Sequence, residues 1–510
     1  MFYQRRDTDQ LKRNRKVSIN DKFIVECKES ESIYQVLTDS GFTFLGHCGG
    51  KGICGKCHVK IKNLCEASRE PDHFAGNEDI GITFGSYHTD IREETVLACQ
   101  YKIRNDISVY TGDLWQYIGN NKKENKAFTE SGNTETWIET DIRTESFVSK
   151  TKNVGVAVDL GSTTIAVSCV DLEKKKELTS FSFTNPQYAY GADVISRIRF
   201  CMENEENHLM LGQIVEKTLR ENLKEKLRMA YSDIAQIVYS GNTTMFHILR
   251  GFSVEGLSKA PFMPVSTNYE VLKKNEIKMI FPPGFSAFVG ADILTGAEVL
   301  GLGKTEAYDL LVDLGTNGEM LLLNKDCGYA AATACGPVFD SAVKGAVYGS
   351  ESIKAIANCV KRRLIDRSGR IAGPYFEKGI EIDKGFVITQ ENIRNFQLAK
   401  GAIYAGIQCL LKEADLTADC IANVYISGGL GFYIDIRDAF TVKMLPEEFR
   451  GKIKISGNTS LEGAKKLVAA DSREGEIIIA EYTAIKGRTR SLELADLEGF
   501  QETYMQSLNF

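Results

Sequence analysis

Three cysteines crowd into the run Gly46-His47-Cys48-Gly49-Gly50-Lys51-Gly52-Ile53-Cys54-Gly55-Lys56-Cys57-His58, where most other residues are glycine, small or polar. Backbone of that make-up can wrap closely around something compact. A fourth cysteine arrives in Leu97-Ala98-Cys99-Gln100, giving the spacing Cys48-x5-Cys54-x2-Cys57-x41-Cys99. Three thiolates from one loop and one from a later strand suit a [2Fe–2S] cluster. Four cysteines also make a tetrahedral zinc set, but structural zinc usually takes two similar Cys-x2-4-Cys pairs, and here three ligands are bunched and one stands alone. His47 and His58 flank the loop; with four cysteines at hand they read as neighbours of the ligand set or as surface residues.

The surrounding pattern fits a small domain built to hold that loop. Lys16-Val17-Ser18-Ile19 and Lys22-Phe23-Ile24-Val25-Glu26-Cys27 alternate as strands, and Ser32-Ile33-Tyr34-Gln35-Val36-Leu37 has helical periodicity. Val59-Lys60-Ile61 continues as a strand after the third cysteine, and Val96 to Ile103 and Ile107 to Tyr110 would bring back the last ligand and complete the sheet. Residues 1–112 thus resemble the β-grasp ferredoxins, specifically those with five residues between the first two ligands, one more than the plant-type spacing.

A chain of 510 residues with 43% hydrophobic content has material for roughly two to four domains with proper cores. The net charge of −6 gives no reason to expect nucleic acid or an anionic membrane as partner. The basic run Arg5-Arg6 and Lys12-Arg13-Asn14-Arg15-Lys16 has no apolar segment behind it, so it reads as a solvated arm and not a signal peptide, and no apolar run reaches membrane-spanning length. The thirteen cysteines include nine outside the loop set, from Cys27 to Cys420, scattered without paired spacing. That is the usage of reduced thiols, and it predicts a cytoplasmic protein.

From residue 113 to 152 the sequence turns polar, as in Asn120-Asn121-Lys122-Lys123-Glu124-Asn125-Lys126, and reads as a linker carrying both tryptophans, Trp115 and Trp137. Next comes Val154-Gly155-Val156-Ala157-Val158-Asp159-Leu160-Gly161-Ser162-Thr163-Thr164-Ile165-Ala166-Val167, an apolar strand, an aspartate, a glycine turn with three hydroxyls and a second apolar strand. Turn amides and hydroxyls can hold phosphate, with the aspartate facing a hydrated magnesium ion. The design recurs in Leu310-Leu311-Val312-Asp313-Leu314-Gly315-Thr316-Asn317-Gly318-Glu319-Met320. A third strand ends in Ser427-Gly428-Gly429, where backbone can lie flat against a base or ribose.

In this order the three elements resemble the superfamily of actin, Hsp70 chaperones and sugar kinases. The resemblance covers residues 153–510 and implies a two-lobed α/β ATPase, lobe I in 153–305 and lobe II in 306–510, with ATP and Mg2+ between. By position Asp159, Gly161, Ser162, Thr163 and Thr164 match its first phosphate motif, Asp313, Gly315, Thr316 and Asn317 the second, and Ser427, Gly428 and Gly429 the adenosine motif.

A [2Fe–2S] domain joined to such an ATPase is similar to the reductive activators of corrinoid proteins. Ser240-Gly241-Asn242-Thr243-Thr244, Gly290-Ala291-Asp292-Ile293, Ala334-Cys335-Gly336-Pro337 and Gln397-Leu398-Ala399-Lys400-Gly401 carry the likeness further. It implies that an external donor (a ferredoxin, flavodoxin or reductase) reduces the cluster, and that ATP drives an electron onto Co(II) of a corrinoid protein in a methyltransferase system. A plant-type cluster sits at about −400 mV, and every ~59 mV of shortfall is a tenfold unfavourable equilibrium for one electron. Lobe closure on ATP can supply the difference. Asp159 and Asp313 are then expected to act on magnesium and the attacking water. No cysteine follows Cys420, so one cluster is expected; a homodimer is allowed. Two rival readings are a redox-sensing small-molecule kinase and a nucleotide-switched electron carrier without turnover.

Overall fold

The computed structural model describes residues 14–20, 23–40, 42–44, 57–64, 91–111, 115–117, 153–227, 231–315, 317–335, 349–382, 386–429 and 434–510. The chain divides into two compact units, Met1–Thr140 and Asp141–Phe510.

In the first unit, β1 (Asn14–Ile19) and β2 (Phe23–Lys28) form an antiparallel hairpin. α1 (Ile33–Asp39) follows, capped by Ser32, whose side chain accepts from the Gln35 amide. β3 (Phe42–Phe44), β4 (His58–Leu64), β5 (Ile91–Leu97), β6 (Ile107–Thr111) and β7 (Trp115–Tyr117) complete it. The main sheet runs β2-β1-β6-β4-β5, with β1 and β6 parallel and the other pairs antiparallel. Alternation along β1, β4 and β6 turns Val17, Ile19, Val59, Ile61 and Val109 to one side, where they share a core with Ile33, Val36 and Leu37 of α1.

Two details differ from the sequence pattern. The strand expected over Val96 to Ile103 stops at Leu97, because Cys57 O takes the Ala98 amide at 2.8 Å and the Gln100 and Tyr101 amides both fold back to Leu97 O at 3.0 Å. Cys99 therefore lies in a turn. Trp115 belongs to β7, which pairs with β3, whereas Trp137 lies outside the described residues.

The second unit contains two similar halves. Lobe I comprises β8 (Val154–Leu160), β9 (Thr164–Asp171), β10 (Lys176–Thr184), α2 (Val194–Glu203), α3 (Glu205–Leu227), β11 (Ile234–Gly241), α4 (Thr243–Arg250), β12 (Glu270–Lys274), β13 (Ile277–Phe281) and α5 (Ala291–Leu300). Lobe II opens with β14 (Tyr308–Leu314), β15 (Asn317–Leu323), β16 (Gly328–Ala334), α6 (Ser350–Lys361), β17 (Ile380–Ile382), β18 (Phe386–Ile388) and α7 (Gln390–Glu413). It ends with β19 (Ile421–Ser427), α8 (Ile436–Thr441), β20 (Ile453–Gly457), α9 (Thr459–Ala469), α10 (Ser472–Arg488), β21 (Thr489–Leu492) and α11 (Phe500–Ser507).

The two six-stranded sheets run β10-β9-β8-β11-β13-β12 and β20-β19-β14-β15-β16-β21. In each, a three-stranded antiparallel meander comes first, its first strand then pairs in parallel with a later strand, and that strand pairs in parallel with the next: β8 with β11 and β11 with β13, β14 with β19 and β19 with β20. This is the duplication that the two Asp-Leu-Gly hairpins predict. β8 is buried continuously from Val154 to Val158, as a central strand covered on both faces must be.

α5 leaves lobe I and α9 leaves β20 of lobe II, and the two helices pack together against β8 and β11. Glycine permits the close crossing: a Cβ on Gly463 would stand 2.4 Å from Thr295 O, and one on Gly296 would stand 2.6 Å from Thr459 Oγ1. Lys466 and Glu298 add an ion pair of 2.5 Å across it. Among the described residues no helix is long and apolar enough to cross a membrane.

Candidate functional site

Each lobe delivers one aspartate near the end of its first strand, and the strand register places a serine beside it. Asp159 on β8 stands opposite Ser240 on β11, and Asp313 on β14 stands opposite Ser427 on β19. Ser427 Oγ donates to Asp313 Oδ2 at 2.7 Å. In lobe I the carboxylate is held from farther away in sequence: Ser460 Oγ donates to Asp159 Oδ1 at 2.7 Å and Asn458 Nδ2 donates to Oδ2 at 2.8 Å. Asn458 also caps α9 by accepting from the Leu461 amide, so one residue starts the helix and grips the aspartate. Ser460 Oγ lies 2.9 Å from Ser240 Oγ, itself 2.9 Å from Thr295 Oγ1 on α5. This hydroxyl chain ties Asp159 to both helices that join the lobes.

Two more carboxyls complete the group. Asp292, in the first turn of α5, is hydrogen-bonded to Glu319, which sits on β15 opposite Asp313. Burial raises the pKa of Asp159 and pushes Asp313 up to about 7, while the Ser460 and Asn458 donors and the Ser427 donor respectively oppose it. Burial and then the Asp292 charge raise Glu319 well above the usual carboxyl range, and burial raises Asp292 as well. Glu319 Oε2 has no hydrogen-bond partner among the described residues. Carboxyls whose charges act on one another in this way favour a proton or a cation among them.

The donor set fits magnesium, a hard cation bound through one or two carboxylates together with phosphate oxygens and water. Among the described residues no three His, Cys, Asp or Glu could hold a metal by themselves, and an ion shared with a nucleotide needs no such cage.

The glycines of the motifs have distinct jobs. Gly428 has φ of +87°, and a Cβ there would stand 2.6 Å from both Asp313 Oδ1 and Leu314 O. A Cβ on Gly429 would meet nothing within 4 Å among the described residues. In lobe I, Gly241 takes φ of +154° with Leu160 O 2.7 Å from where its Cβ would be, so Ser240-Gly241 repeats Ser427-Gly428. Ser162 and Thr163 are nearly buried in the first turn, Thr164 begins β9, and Gly315 closes the second turn by bonding to Asn317 O at 3.0 Å. Thr316 lies outside the described residues. A small cavity beside Leu160, Ser240, Gly241 and Thr243 has room for about one water molecule.

In the first unit, β4 begins just after Cys57 and β5 ends just before Cys99, and their antiparallel pairing brings the two thiols to 3.1 Å. Neither is in a disulfide, and the Cys99 amide points at Cys57 Sγ at 3.5 Å. Adjacent thiols of this kind fit two ligands of one cluster; Cys48 and Cys54 lie outside the described residues.

Sequence reasoning assigned no role to Asp292, Glu319, Asn458, Ser460 or Ser240. The signal for Asn458 was available as a helix start, Asn458-Thr459-Ser460, and that for Glu319 as the position facing Asp313 across a tight hairpin.

The family model described as the RACo middle region matches residues 154–305, and the one described as the C-terminal domain of RACo, the ASKHA domain, matches 307–347 and 341–510. The corrinoid activation enzyme RamQ of Eubacterium limosum is 29% identical over 427 residues, 70% of this chain and 70% of that protein. A [Co(II) methylated amine-specific corrinoid protein] reductase of Methanosarcina barkeri is 23% identical over 427 residues, covering 70% of this chain and 77% of the relative. Among solved structures, a reductive activator for corrinoid, iron-sulfur protein superposes with a TM-score of 0.64 at 23% identity, covering 97% of this chain and 98% of its own.

Proposed function

The chain belongs to the RACo family, and from that premise we propose that it is an ATP-dependent reductive activator of a corrinoid protein, using ATP to drive one electron onto Co(II) and regenerate the Co(I) needed for methyl transfer. The observation that carries the reading is the duplicated sheet that sets Asp159 beside Ser240 and Asp313 beside Ser427, in a chain that also brings Cys57 beside Cys99. The named activities of the two relatives support it.

Cys48, Cys54, Cys57 and Cys99 would hold a [2Fe–2S] cluster, which when bound supplies a one-electron carrier. The electron comes from an external donor of the ferredoxin, flavodoxin or reductase class. In the second unit, Asp159 and Asp313 would hold the waters of a magnesium ion and orient the attacking water. The turns at Gly161 to Thr164 and Gly315 to Asn317 would bind phosphate, and Ser427 to Gly429 would approach the adenosine. α5 and α9 join the lobes and reach Asp159 through Ser460 and Asn458, so lobe closure on a nucleotide can be transmitted to the partner's grip. The scattered reduced thiols support a cytoplasmic setting.

The test is to mix the purified, cluster-loaded protein with reductant and a corrinoid protein held as Co(II), and to follow Co(I) absorbance with and without ATP. Faster or more complete Co(I) formation with ATP is expected. Equal rates and extents would refute the coupling, and phosphate release in the same cuvette separates turnover from a nucleotide-switched carrier.

A further inference from the structure

Arg197 is fully buried, and it faces the back of the first phosphate turn. Its guanidinium Nη2 donates to Ser162 O, Nε donates to Gly191 O at 2.9 Å, and Nη1 reaches Gln187 Oε1 at 3.2 Å and Met245 Sδ at 3.1 Å. All of these acceptors are neutral. The anion acting on it first is Asp193, whose own oxygens cap α2 through the Ser196 amide and hydroxyl. Burial lowers Arg197 to about 10, which still leaves it a cation at neutral pH. A buried charge without a bound counter-ion is costly, and it becomes favourable only when an anion comes close.

Asn185, also fully buried, works on the same turn. Its Nδ2 donates to Gly161 O at 2.8 Å and its backbone amide donates to Thr163 O at 2.8 Å. Three successive carbonyls, those of Gly161, Ser162 and Thr163, are thus drawn back toward Asn185 and Arg197. In a trans peptide the N–H points opposite its C=O, so the amides that follow, from Ser162 onward, are turned the other way, which is how a turn becomes an anion cradle.

We propose that Arg197 is a positioning residue for the nucleotide phosphates, fixing the first phosphate turn through Ser162 O and placing a buried positive charge behind that turn. The inference rests on the ATP reading above and assigns the phosphate end of that site a support lying outside the phosphate motifs.

Fluorescence titration of the full chain with mant-ATP and mant-adenosine tests it. Arg197→Met removes the charge and the donors; Arg197→Lys keeps the charge. The expected result is a loss of mant-ATP affinity in R197M of about 10- to 100-fold, unchanged mant-adenosine affinity, and partial recovery in R197K. Unchanged mant-ATP affinity in R197M, or equal loss for both ligands, overturns the inference. If R197M does not fold, Arg197→Gln keeps a neutral donor, and R197Q binding mant-ATP as tightly as R197K overturns the role of the charge. A wild-type chain that binds neither ligand overturns the ATP reading itself, and is distinguished by that result from failure of the arginine alone.

Discussion

Ser427 Oγ donates a 2.7 Å hydrogen bond to Asp313 Oδ2 from the register position directly beside it on the neighbouring parallel strand. The bond favours the ionised aspartate, yet burial outweighs it and leaves Asp313 near 7. The folded, nucleotide-free chain therefore holds a proton that the unfolded chain has lost above ~4. Stability from this group is present below that value and disappears as pH rises through about 7. Asp313→Asn is expected to raise the melting temperature of the nucleotide-free protein most at pH 8 and less as pH falls toward ~4, while removing ATP hydrolysis. A variant that melts lower at pH 8 would contradict this.

Ser460 and Asn458 hold Asp159 from the start of α9, so their loss affects both a helix and a carboxylate. Ser460→Ala removes one hydrogen bond to a charged group, worth about 1.5–3 kcal/mol. Asn458→Ala removes a cap as well, adding about 1 kcal/mol. Thermal melting should rank the wild type above S460A and S460A above N458A, and both variants should hydrolyse ATP more slowly. Normal hydrolysis in both would remove Asp159 from the proposed chemistry.

What the sequence revealed, and what it hid, follows from how far apart the participants are. The strand-Asp-Leu-Gly-strand hairpins were legible because strand, turn and carboxylate lie within about a dozen consecutive residues, and the duplicated sheet order follows from them. Asp159's partners are invisible by that route, since Asn458 and Ser460 lie 299 and 301 residues away and meet it only once α9 crosses α5. The Asp292–Glu319 pair is hidden for a similar reason: one sits on a helix of lobe I and the other on a strand of lobe II. The strand through Cys99 was misplaced because Ala98 to Tyr101 are apolar enough to continue β5, and only the Cys57 carbonyl waiting for the Ala98 amide turns them aside.

Cys57 and Cys99 are brought together by the pairing of β4 and β5, a contact confined to the first unit. Cys99→Ser should abolish the visible absorbance of a reconstituted cluster and the formation of Co(I), with mant-ATP affinity of the same protein unchanged. Stripping the cluster from the wild type with chelator under oxidising conditions should give the same pattern. Loss of nucleotide binding in either case would show that the thiol site supports the second unit's fold.

Gly428 and Gly429 are neighbours with opposite steric demands. At Gly428 a methyl group would meet Asp313 Oδ1 and Leu314 O at 2.6 Å, and its φ of +87° is one that L residues rarely adopt. Gly428→Ala should cost at least 1 kcal/mol of stability through strain alone and displace Asp313, removing hydrolysis. A Cβ on Gly429 would meet nothing within 4 Å among the described residues, so Gly429→Ala should melt like the wild type. Any loss of nucleotide affinity in G429A then reports contact with the ligand itself, whereas a G428A protein with full activity would mean that the carboxylate position is unimportant.

Lys400 lies fully buried on α7, where its Nζ donates to Asn509 O and sits 5.2 Å from the centre of the Phe510 ring. Burial, reinforced by the charge of Lys443, lowers it to about 7. An unfolded lysine titrates at about 10.4, so between these values the unfolded chain binds a proton that the folded chain does not. The burden on stability is therefore full below pH 7 and relieved as pH rises toward 10. Lys400→Met has the length to fill the site without the charge. Denaturant unfolding of wild type and K400M at a series of pH values should show the wild type gaining on the variant by up to about 1.4 kcal/mol per pH unit across that window. A difference between them that stays constant from pH 7 to 10 would mean that Lys400 keeps its proton in the fold, held by Asn509 O and the ring face strongly enough to offset its burial.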